Sequence, residues 1–197
     1  MQPDTFVFFG IVGSGKGTQV KLLLEYLKGK DSRECVYIGT GEIFREIAHS
    51  TAEDENTRVV KELLDAGRLV PDEMTNQLVL QKIDTEVSPR KHCVFDGYPR
   101  TIAQSKVFED KIKNIGRDGV KIIYLELSKE EAMRRNLLRG RHDDTEEGLA
   151  KRFDEYVNKV VPAMNYFNGK EGYTIYTING EQSVEAVHQE IIKKINL

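Results

Sequence analysis

Short apolar runs alternate with amphipathic segments along the whole chain. The runs are rich in Val, Ile, Phe and Tyr, and several lack the polar alternation of a strand that has one solvated face. Such runs are typical of strands buried on both faces, in a parallel sheet that helices cover. They predict five strands, over residues 5–9, 35–38, 92–95, 120–127 and 173–178.

Helical spacing marks the segments between the apolar runs. Val20, Leu23, Leu24 and Leu27 recur at i, i+3, i+4 and i+7, which places them on one face of a helix after the first strand. The same spacing recurs over residues 184–195, at the end of the chain. Each of these segments predicts an amphipathic helix that packs against the sheet.

Residues that start and stop helices support this pattern. Ser128 followed by Glu131 is a capping-box sequence, which predicts a helix over residues 129–139. Gly140 stands where a C′ glycine would end that helix. Strands that alternate with helices in this way predict a doubly wound α/β fold.

One part of the chain breaks the alternation. Residues 43–86 contain several helical pieces without a strand, which indicates a helical insert that projects from the sheet. Within it, Gly67 ends a helix over residues 56–66, and Pro71-Asp72 begins the next one.

Composition narrows the classes of protein. Of 197 residues, 39% are hydrophobic and 31% are charged, so one domain with a normal core can form, which excludes a disordered chain. The net charge of −3 argues against a general nucleic-acid binder, and no apolar stretch approaches the length of a membrane span.

Cysteine usage and the first residues bear on the compartment. Cys35 and Cys93 are far apart and lie in short apolar runs, so they are expected to be buried free thiols. The first residues carry no positive charge, which argues against a signal peptide. The expected compartment is the cytoplasm.

The first apolar run leads directly into a glycine-rich segment that reads GIVGSGKGT from Gly10 to Thr18. Glycines let backbone N–H groups turn inward and cradle phosphate oxygens at a helix N-terminus. Lys16 adds a positive charge for the terminal phosphates, and Thr18 offers a hydroxyl near a bound magnesium ion. The strict pattern has Ser or Thr directly after the lysine, where this chain has Gly17.

This loop predicts a nucleoside triphosphate site. A glycine-rich turn that only joins a strand to a helix is the alternative, and four glycines with a lysine in this context argue against it. The candidate phosphate-binding residues are Gly13, Ser14, Gly15, Lys16, Gly17 and Thr18. GTPases, transport ATPases and small-molecule kinases share such a loop, but the chain lacks the Asn-Lys-x-Asp sequence that reads guanine.

Three further motifs decide between these classes. They read TGEIFR from Thr40, GRLVPD from Gly67 and DGYPRTIAQ from Asp96. The first and third follow predicted strands, at the edge where open α/β sheets bind ligands. With GSGKGT they resemble, in wording and order, the nucleoside monophosphate kinase family, and adenylate kinases in particular. The resemblance extends from Phe6 to the last helix.

The resemblance implies a fold and a reaction. The fold is α/β, a P-loop doubly wound parallel five-stranded sheet with helices on both faces. It implies one domain over residues 1–197, with a monophosphate-binding insert at about 39–72 and a minimal lid at about 139–145. The implied reaction is reversible phosphoryl transfer from MgATP to AMP, giving two ADP. The implied protein is a cytoplasmic monomer with Mg²⁺ as cofactor and no nucleic-acid or membrane partner.

The monophosphate site draws on all three motifs. Arg45 and Arg100 can grip a phosphate through their planar guanidinium groups, and Gln104, one helical turn after Arg100, can present its amide to a base edge. The implied AMP-binding residues are Thr40, Arg45, Arg68, Leu69, Val70, Gly97, Tyr98, Pro99, Arg100, Gln104, Arg141 and Arg152.

An arginine-rich segment matches the family's lid, although a solvated charge run is the alternative reading of such a segment. The implied catalytic residues are Lys16, Arg100, Arg141 and Arg152. Arg135, Arg139 and Gln182 are expected to bind ATP together with the glycine loop. Thr18 and Asp96 are the candidate metal-binding residues, with Asp96 acting through water.

The chain departs from the family pattern at several positions. Glu42 replaces the usual aspartate of the first motif, Val12 a common proline, and Tyr98 a usual phenylalanine. One residue, Gly140, separates the two lid arginines, so the lid is minimal.

Two other functions stay open. The first is a UMP/CMP kinase on the same scaffold, although that family carries asparagine where this chain has Thr101. The second is a non-catalytic nucleotide-sensing partner protein, against which the retained charged residues argue.

Overall fold

The computed structural model describes residues 3–30, 32–50, 54–140 and 145–196. Its strands form one sheet in which every neighbouring pair is parallel, in the order β2-β3-β1-β4-β5. The strands are β1 (Thr5–Gly10), β2 (Cys35–Gly39), β3 (His92–Asp96), β4 (Val120–Glu126) and β5 (Tyr173–Asn179). The five predicted strands are confirmed, and each ends within one residue of its predicted end.

Helices connect the strands and follow the last of them. They are α1 (Lys16–Lys30), α2 (Thr40–Ala48), α3 (Glu55–Asp65), α4 (Asp72–Glu86), α5 (Ile102–Asn114), α6 (Lys129–Arg139), α7 (Glu146–Glu155), α8 (Val161–Asn165) and α9 (Val184–Lys194). A π-helical turn (Tyr156–Val160) joins α7 to α8. The prediction for α6 is correct at both ends, and α3 begins and ends one residue before its predicted bounds.

Each face of the sheet carries its own core. On one face, Phe6 and Phe8 of β1 pack with Leu23 and Leu27 of α1 and with α9. On the other, alternate residues of the same strands pack with α4, α5 and α8, around the buried Phe108. Burial on both faces explains why the strand sequences lack a polar alternation.

The chain leaves two neighbouring strands toward opposite faces. After β1 it enters α1 on one face, and after β3 it enters α5 on the other. A crevice opens where adjacent strands feed opposite faces, at their carboxyl ends. The glycine loop and the third motif therefore face each other across this crevice.

The helices between β2 and β3 divide into two groups. Phe44, Val60 and Val70 form a separate apolar cluster with parts of α2 and α3. Val79 and Ile83 of α4 belong instead to the main core. The expectation that the whole stretch 43–86 projects from the sheet is therefore wrong for α4. The narrower insert, about residues 39–72, stays a prediction.

Two smaller observations complete the fold. Within the described residues, no helix has both the length and the apolar character needed to cross a membrane. Cys35 and Cys93 are free thiols, and burial raises their pKa to about 12 and about 11. These raised pKa values favour the protonated thiol at both positions near neutral pH.

Candidate active site

A cleft of about 670 Å³ opens at the carboxyl ends of β1 and β3. The glycine loop and the loop after β3 line it, together with parts of α2, α3, α6 and α7. The cleft therefore lies at the crevice that the sheet topology creates.

Most predicted nucleotide-binding residues meet in this cleft. Those that line it are Gly13, Gly15, Lys16, Gly17, Thr18, Arg45, Arg68, Leu69, Asp96, Gly97, Pro99, Arg100, Arg135, Arg139 and Arg152. The described candidates that do not line it are Ser14, Thr40, Val70, Tyr98, Gln104 and Gln182. Arg141 lies outside the described residues.

The glycine loop has the conformation that its sequence requires. Gly13 and Gly15 both have a φ of 88°, a region that L side chains rarely adopt. Lys16 Nζ donates hydrogen bonds to the carbonyl oxygens of Gly10 at 2.7 Å and Ile11 at 3.0 Å. The lysine side chain is thus held against its own loop.

An asparagine fixes this loop to α6. Asn136 is completely buried, and its Nδ2 donates to the carbonyl oxygen of Val12 at 3.0 Å and of Ala132 at 2.7 Å. A Cβ atom on Gly13 would lie 2.5 Å from Asn136 Nδ2, so only glycine fits beside the amide. Since α6 also carries Arg135 and Arg139, the amide holds these arginines in register with the loop.

Positive charge is concentrated and partly buried in the cleft. Burial lowers the pKa of Lys16 from 10.5 to about 8; Arg100 and Arg139 act in the same direction, and Asp96 opposes them. Burial also lowers the pKa of Arg100, with Arg152 and Arg45 as further causes and Asp96 again opposing. Such a site favours a polyanionic ligand, which would restore the charged forms.

The loop after β3 packs tightly against the start of α2. Gly97 has a φ of 79°, and a Cβ atom there would lie 2.6 Å from Thr40 Oγ1 and 2.7 Å from Arg100 Nη2. Thr40 is buried, and its hydroxyl donates to the carbonyl oxygen of Gly97 at 2.7 Å. Thr40 therefore joins two motifs, and its side chain does not line the cleft.

Gln104 is held by both ends of its amide. Its Oε1 accepts a hydrogen bond from the backbone N–H of Arg100 at 2.7 Å, and its Nε2 donates to Asp72 Oδ1 at 2.8 Å. Thr101 caps α5 and donates its hydroxyl to Asp72 Oδ2 at 2.8 Å. Gln104 is 2% exposed, so a contact with a base requires this network to release the amide. Tyr98, beside it, donates to Asn76 Oδ1 at 2.7 Å.

Two predicted ATP-binding residues near β5 differ in their placement. Arg135 lines the cleft and donates to Glu131 Oε1 at 2.7 Å and to the carbonyl oxygen of Gly180 at 2.9 Å. Gln182 instead turns toward α9, where its Nε2 donates to Glu190 and to the carbonyl oxygen of Asn179. Only the backbone near Gln182 is thus linked to the cleft, through Arg135.

Comparison with known proteins gives the family. The model of the adenylate kinase family matches residues 8–172. "Adenylate kinase 1" of Nostoc sp. is 31% identical over 188 residues, which cover 94% of this chain and 95% of that protein. Adenylate kinases of Oenococcus oeni and Parabacteroides distasonis are 33% and 34% identical, each over 96% of both chains. The chain belongs to the adenylate kinase family. It is therefore an enzyme, a nucleoside monophosphate kinase.

The cleft of this adenylate kinase family member suits a magnesium ion better than a metal held entirely by the protein. Among the residues that the structure describes, no group of three or more His, Cys, Asp or Glu side chains could hold a metal. Thr18 and Asp96, which line the cleft, offer a hydroxyl and a carboxylate, both hard oxygen ligands. Mg²⁺ commonly binds through few protein oxygens, completed by phosphate oxygens and water.

Sequence reasoning missed several residues of the site. The sequence predicts Asp72 to end the second motif and to start a helix, without a role in the site, and it does not single out Asn136 or Tyr37. Asn136 lies four residues after Ala132, on the buried face of α6, and a polar residue on a buried helix face indicates a specific hydrogen-bond partner. Tyr37, which lines the cleft, lies three residues before the first motif and had no sequence signal of its own.

Proposed function

We propose that the chain catalyses reversible transfer of the γ-phosphoryl group of ATP to AMP, giving two ADP, with Mg²⁺ as cofactor. The observation that carries the proposal is the convergence of Lys16, Arg45, Arg100 and Arg152 on one cleft that also contains Asp96. Membership of the adenylate kinase family agrees with this reaction.

Phosphoryl transfer requires the protein mainly to position the two substrates and to stabilise negative charge in the transition state. The reaction passes through a transition state in which negative charge spreads over the transferred group. We propose that Lys16, Arg100, Arg141 and Arg152 stabilise this charge, since fixed cations gain most where charge develops. Arg45 and Arg100 would hold the monophosphate in line, because a guanidinium binds two oxygens at once.

We assign the triphosphate to the glycine loop and α6. Gly13, Ser14, Gly15, Gly17 and Thr18 surround the position where a helix N-terminus offers its backbone N–H groups. Arg135 and Arg139 line the same end of the cleft from α6. Gln182 stays a predicted ATP contact, although its side chain is engaged elsewhere.

Thr18, and Asp96 through water, are the proposed holders of the metal. A bound Mg²⁺ ion would neutralise charge on the β and γ phosphates. Asp96 also counters the cations beside it, since it opposes the lowering of the pKa of both Lys16 and Arg100.

The AMP side includes residues that hold the cleft together without lining it. We propose that Arg68, Leu69, Gly97 and Pro99 contact AMP directly, because they line the cleft. Thr40, Val70, Tyr98 and Gln104 are proposed to shape the base end from beneath. Closing of the insert, about residues 39–72, would exclude water that competes with AMP for the phosphoryl group.

We also propose that the enzyme is a cytoplasmic monomer that serves nucleotide biosynthesis. The cleft brings together candidate residues for both nucleotides, and we propose that one copy of the chain suffices for the site. Membership of the adenylate kinase family supports this compartment and this role.

The test is an acceptor panel with MgATP and equal concentrations of AMP, CMP and UMP. We expect AMP to be preferred, because a pocket built on hydrogen bonds rejects acceptors that lack the matching groups. Preferred transfer to CMP or UMP would establish the pyrimidine kinase alternative. Nucleotide binding without transfer to any acceptor would establish the sensing alternative.

A further inference from the structure

Tyr37 of β2 brings a phenol into the cleft. The residue is half-buried, and its ring packs against the core on the α1 face of the sheet. It lines the cleft together with Glu42, Arg45 and Asp96. The phenol therefore lies among the charged groups of the first and third motifs.

Gly39 provides the space for this phenol. A Cβ atom on Gly39 would overlap Tyr37 Oη and would lie 2.5 Å from Tyr37 Cζ. The backbone of Gly39 does not itself require glycine, because its φ of −109° and ψ of 99° are ordinary for any residue. Glycine at position 39 therefore leaves room for the ring and hydroxyl of Tyr37. Gly39 is also paired with Asp96 in the sheet, so the space that the hydroxyl fills adjoins the strand position that carries that carboxylate.

The surroundings keep the phenol a hydrogen-bond donor. Burial, followed by Asp96 and then Glu42, raises the pKa of Tyr37, while Arg45 acts weakly in the opposite direction. Within the described part of the chain, Tyr37 Oη makes no hydrogen bond to another residue. Its proton is thus available to a molecule inside the cleft, near two carboxylates that it does not bind directly.

The Glu42 carboxylate would benefit from an additional hydrogen-bond donor that fixes its orientation. Glu42 lines the cleft with a long side chain, whose rotatable bonds must be fixed before its carboxylate can hold one orientation. A water molecule that is bound by a phenol and two carboxylates would restrict that freedom, because water bridges nearly match direct hydrogen bonds in enthalpy.

We propose that Tyr37 is a positioning residue, whose hydroxyl donates to a water molecule shared by Asp96 and Glu42 and so orients both carboxylates toward the hydrated metal ion. This inference rests on the proposed function, which assigns Asp96 to the metal side of the site, and it adds Glu42 to that side. It adds a residue that neither the glycine loop nor the three motifs contain.

The test is the Tyr37→Phe substitution, which removes only the hydroxyl. ATP affinity is measured by calorimetry with excess Mg²⁺ and with a chelator, in the absence of AMP. We expect the affinity for MgATP to fall roughly fivefold, while the affinity for metal-free ATP and the melting temperature stay unchanged. Tyr176→Phe is the control, because Tyr176 packs on the same core and does not line the cleft.

Two results would overturn the inference. Tyr37→Phe could bind MgATP as Tyr176→Phe does, or it could lose affinity equally with and without Mg²⁺. Failure of the proposed function would look different: the unsubstituted enzyme would not transfer phosphoryl groups to AMP, whatever Tyr37→Phe does to binding.

A second substitution tests the geometry. Gly39→Ala should displace the ring, and so reproduce the loss of MgATP affinity and also lower the melting temperature. In a Tyr37→Leu background, which lacks the overlapping atoms, Gly39→Ala should no longer lower the melting temperature. An equal decrease in both backgrounds would show that Gly39 does not serve Tyr37.

Discussion

Burial disfavours the positive charge of Lys16. Two of the three N–H donors on Nζ are used by the carbonyl oxygens of Gly10 and Ile11. Burial nevertheless lowers the pKa of the ammonium group to about 8. Phosphate oxygens near the third donor would favour the charged form, so ATP binding and protonation of Lys16 are linked.

This linkage predicts a pH dependence of ATP affinity. Near pH 8, about half of Lys16 is neutral before binding and becomes charged after it, so about half a proton should be taken up per site. Above that pH the affinity should fall by about tenfold per pH unit, until the pKa of the complex is reached. Calorimetry in buffers of different ionisation enthalpy measures the uptake. Lys16→Arg, which stays charged, is the control, and an equal uptake by that variant would contradict the prediction.

Arg141 provides a prediction that rests on the sequence alone. It follows Arg139 so closely that both are expected to flank the phosphates from the end of one helix. If Arg141 acts on transition-state charge, Arg141→Ala should lower kcat by roughly 10³–10⁵ with folding intact. Steady-state kinetics with both substrates varied, together with a thermal melt, measure this. An unchanged kcat would assign the catalytic charge to Arg135, Arg139 or Arg152.

At the scale of elements, the start of α6 is predicted correctly, although only one of the two hydrogen bonds of a capping box forms there. Ser128 Oγ accepts the N–H of Glu131, as the capping-box sequence predicts. The Glu131 carboxylate does not return the bond, because it accepts two charge-assisted bonds from Arg134 and one from Arg135. The N–H of Ser128 donates to Glu181 instead.

Asn136 forms the junction between α6 and the glycine loop, and this junction is predicted to affect the KM for ATP and not the KM for AMP. Asn136→Ala removes both bonds of the buried amide and should raise the KM for ATP roughly fivefold. The KM for AMP should stay the same, and the melting temperature should fall by about 2–8 °C. Leu138→Ala is the control, because Leu138 is an exposed residue of the same helix. Equal changes in both KM values would contradict a role confined to the loop.

Elements could be predicted where their cause is local. The strands can be recognised in the sequence because both of their faces are buried and their residues are therefore apolar. Ser128 and Gly140 mark the two ends of α6. The partners of Gln104 and Asn136 could not be predicted in this way. Asp72 lies 32 residues before Gln104, and Val12 lies 124 residues before Asn136, so only the fold brings them together.

At the scale of the whole molecule, the two ends of the cleft are attached to the core by different elements. The ATP end is held by α6 through Asn136. The base end of the AMP side is held by α4, since Asp72 accepts from Thr101 and Gln104 while Val79 anchors the same helix in the main core. The two ends should therefore respond separately to substitution.

Asp72→Asn tests the AMP end. Asparagine offers one acceptor oxygen to two donors, so either Thr101 or Gln104 must face an NH₂ group. The KM for AMP should rise by about tenfold, with the KM for ATP unchanged. Glu73→Gln, at the next, exposed position, is the matched control. Because the two junctions share no partner, the effects of Asp72→Asn and Asn136→Ala should add in the double variant. A strong interaction between them would contradict this division.

The strand order also constrains how the chain can be synthesised. β1 lies between β3 and β4, so the earliest of these five strands to leave the ribosome is the centre of the finished sheet. It gains its first neighbour only after residue 96 has emerged, and its second after residue 126. Until then both edges of an apolar strand stay unpaired, which is the condition under which nascent chains aggregate. A chain that stops before β4 keeps one edge of β1 open, and the glycine loop at its end has no fixed support.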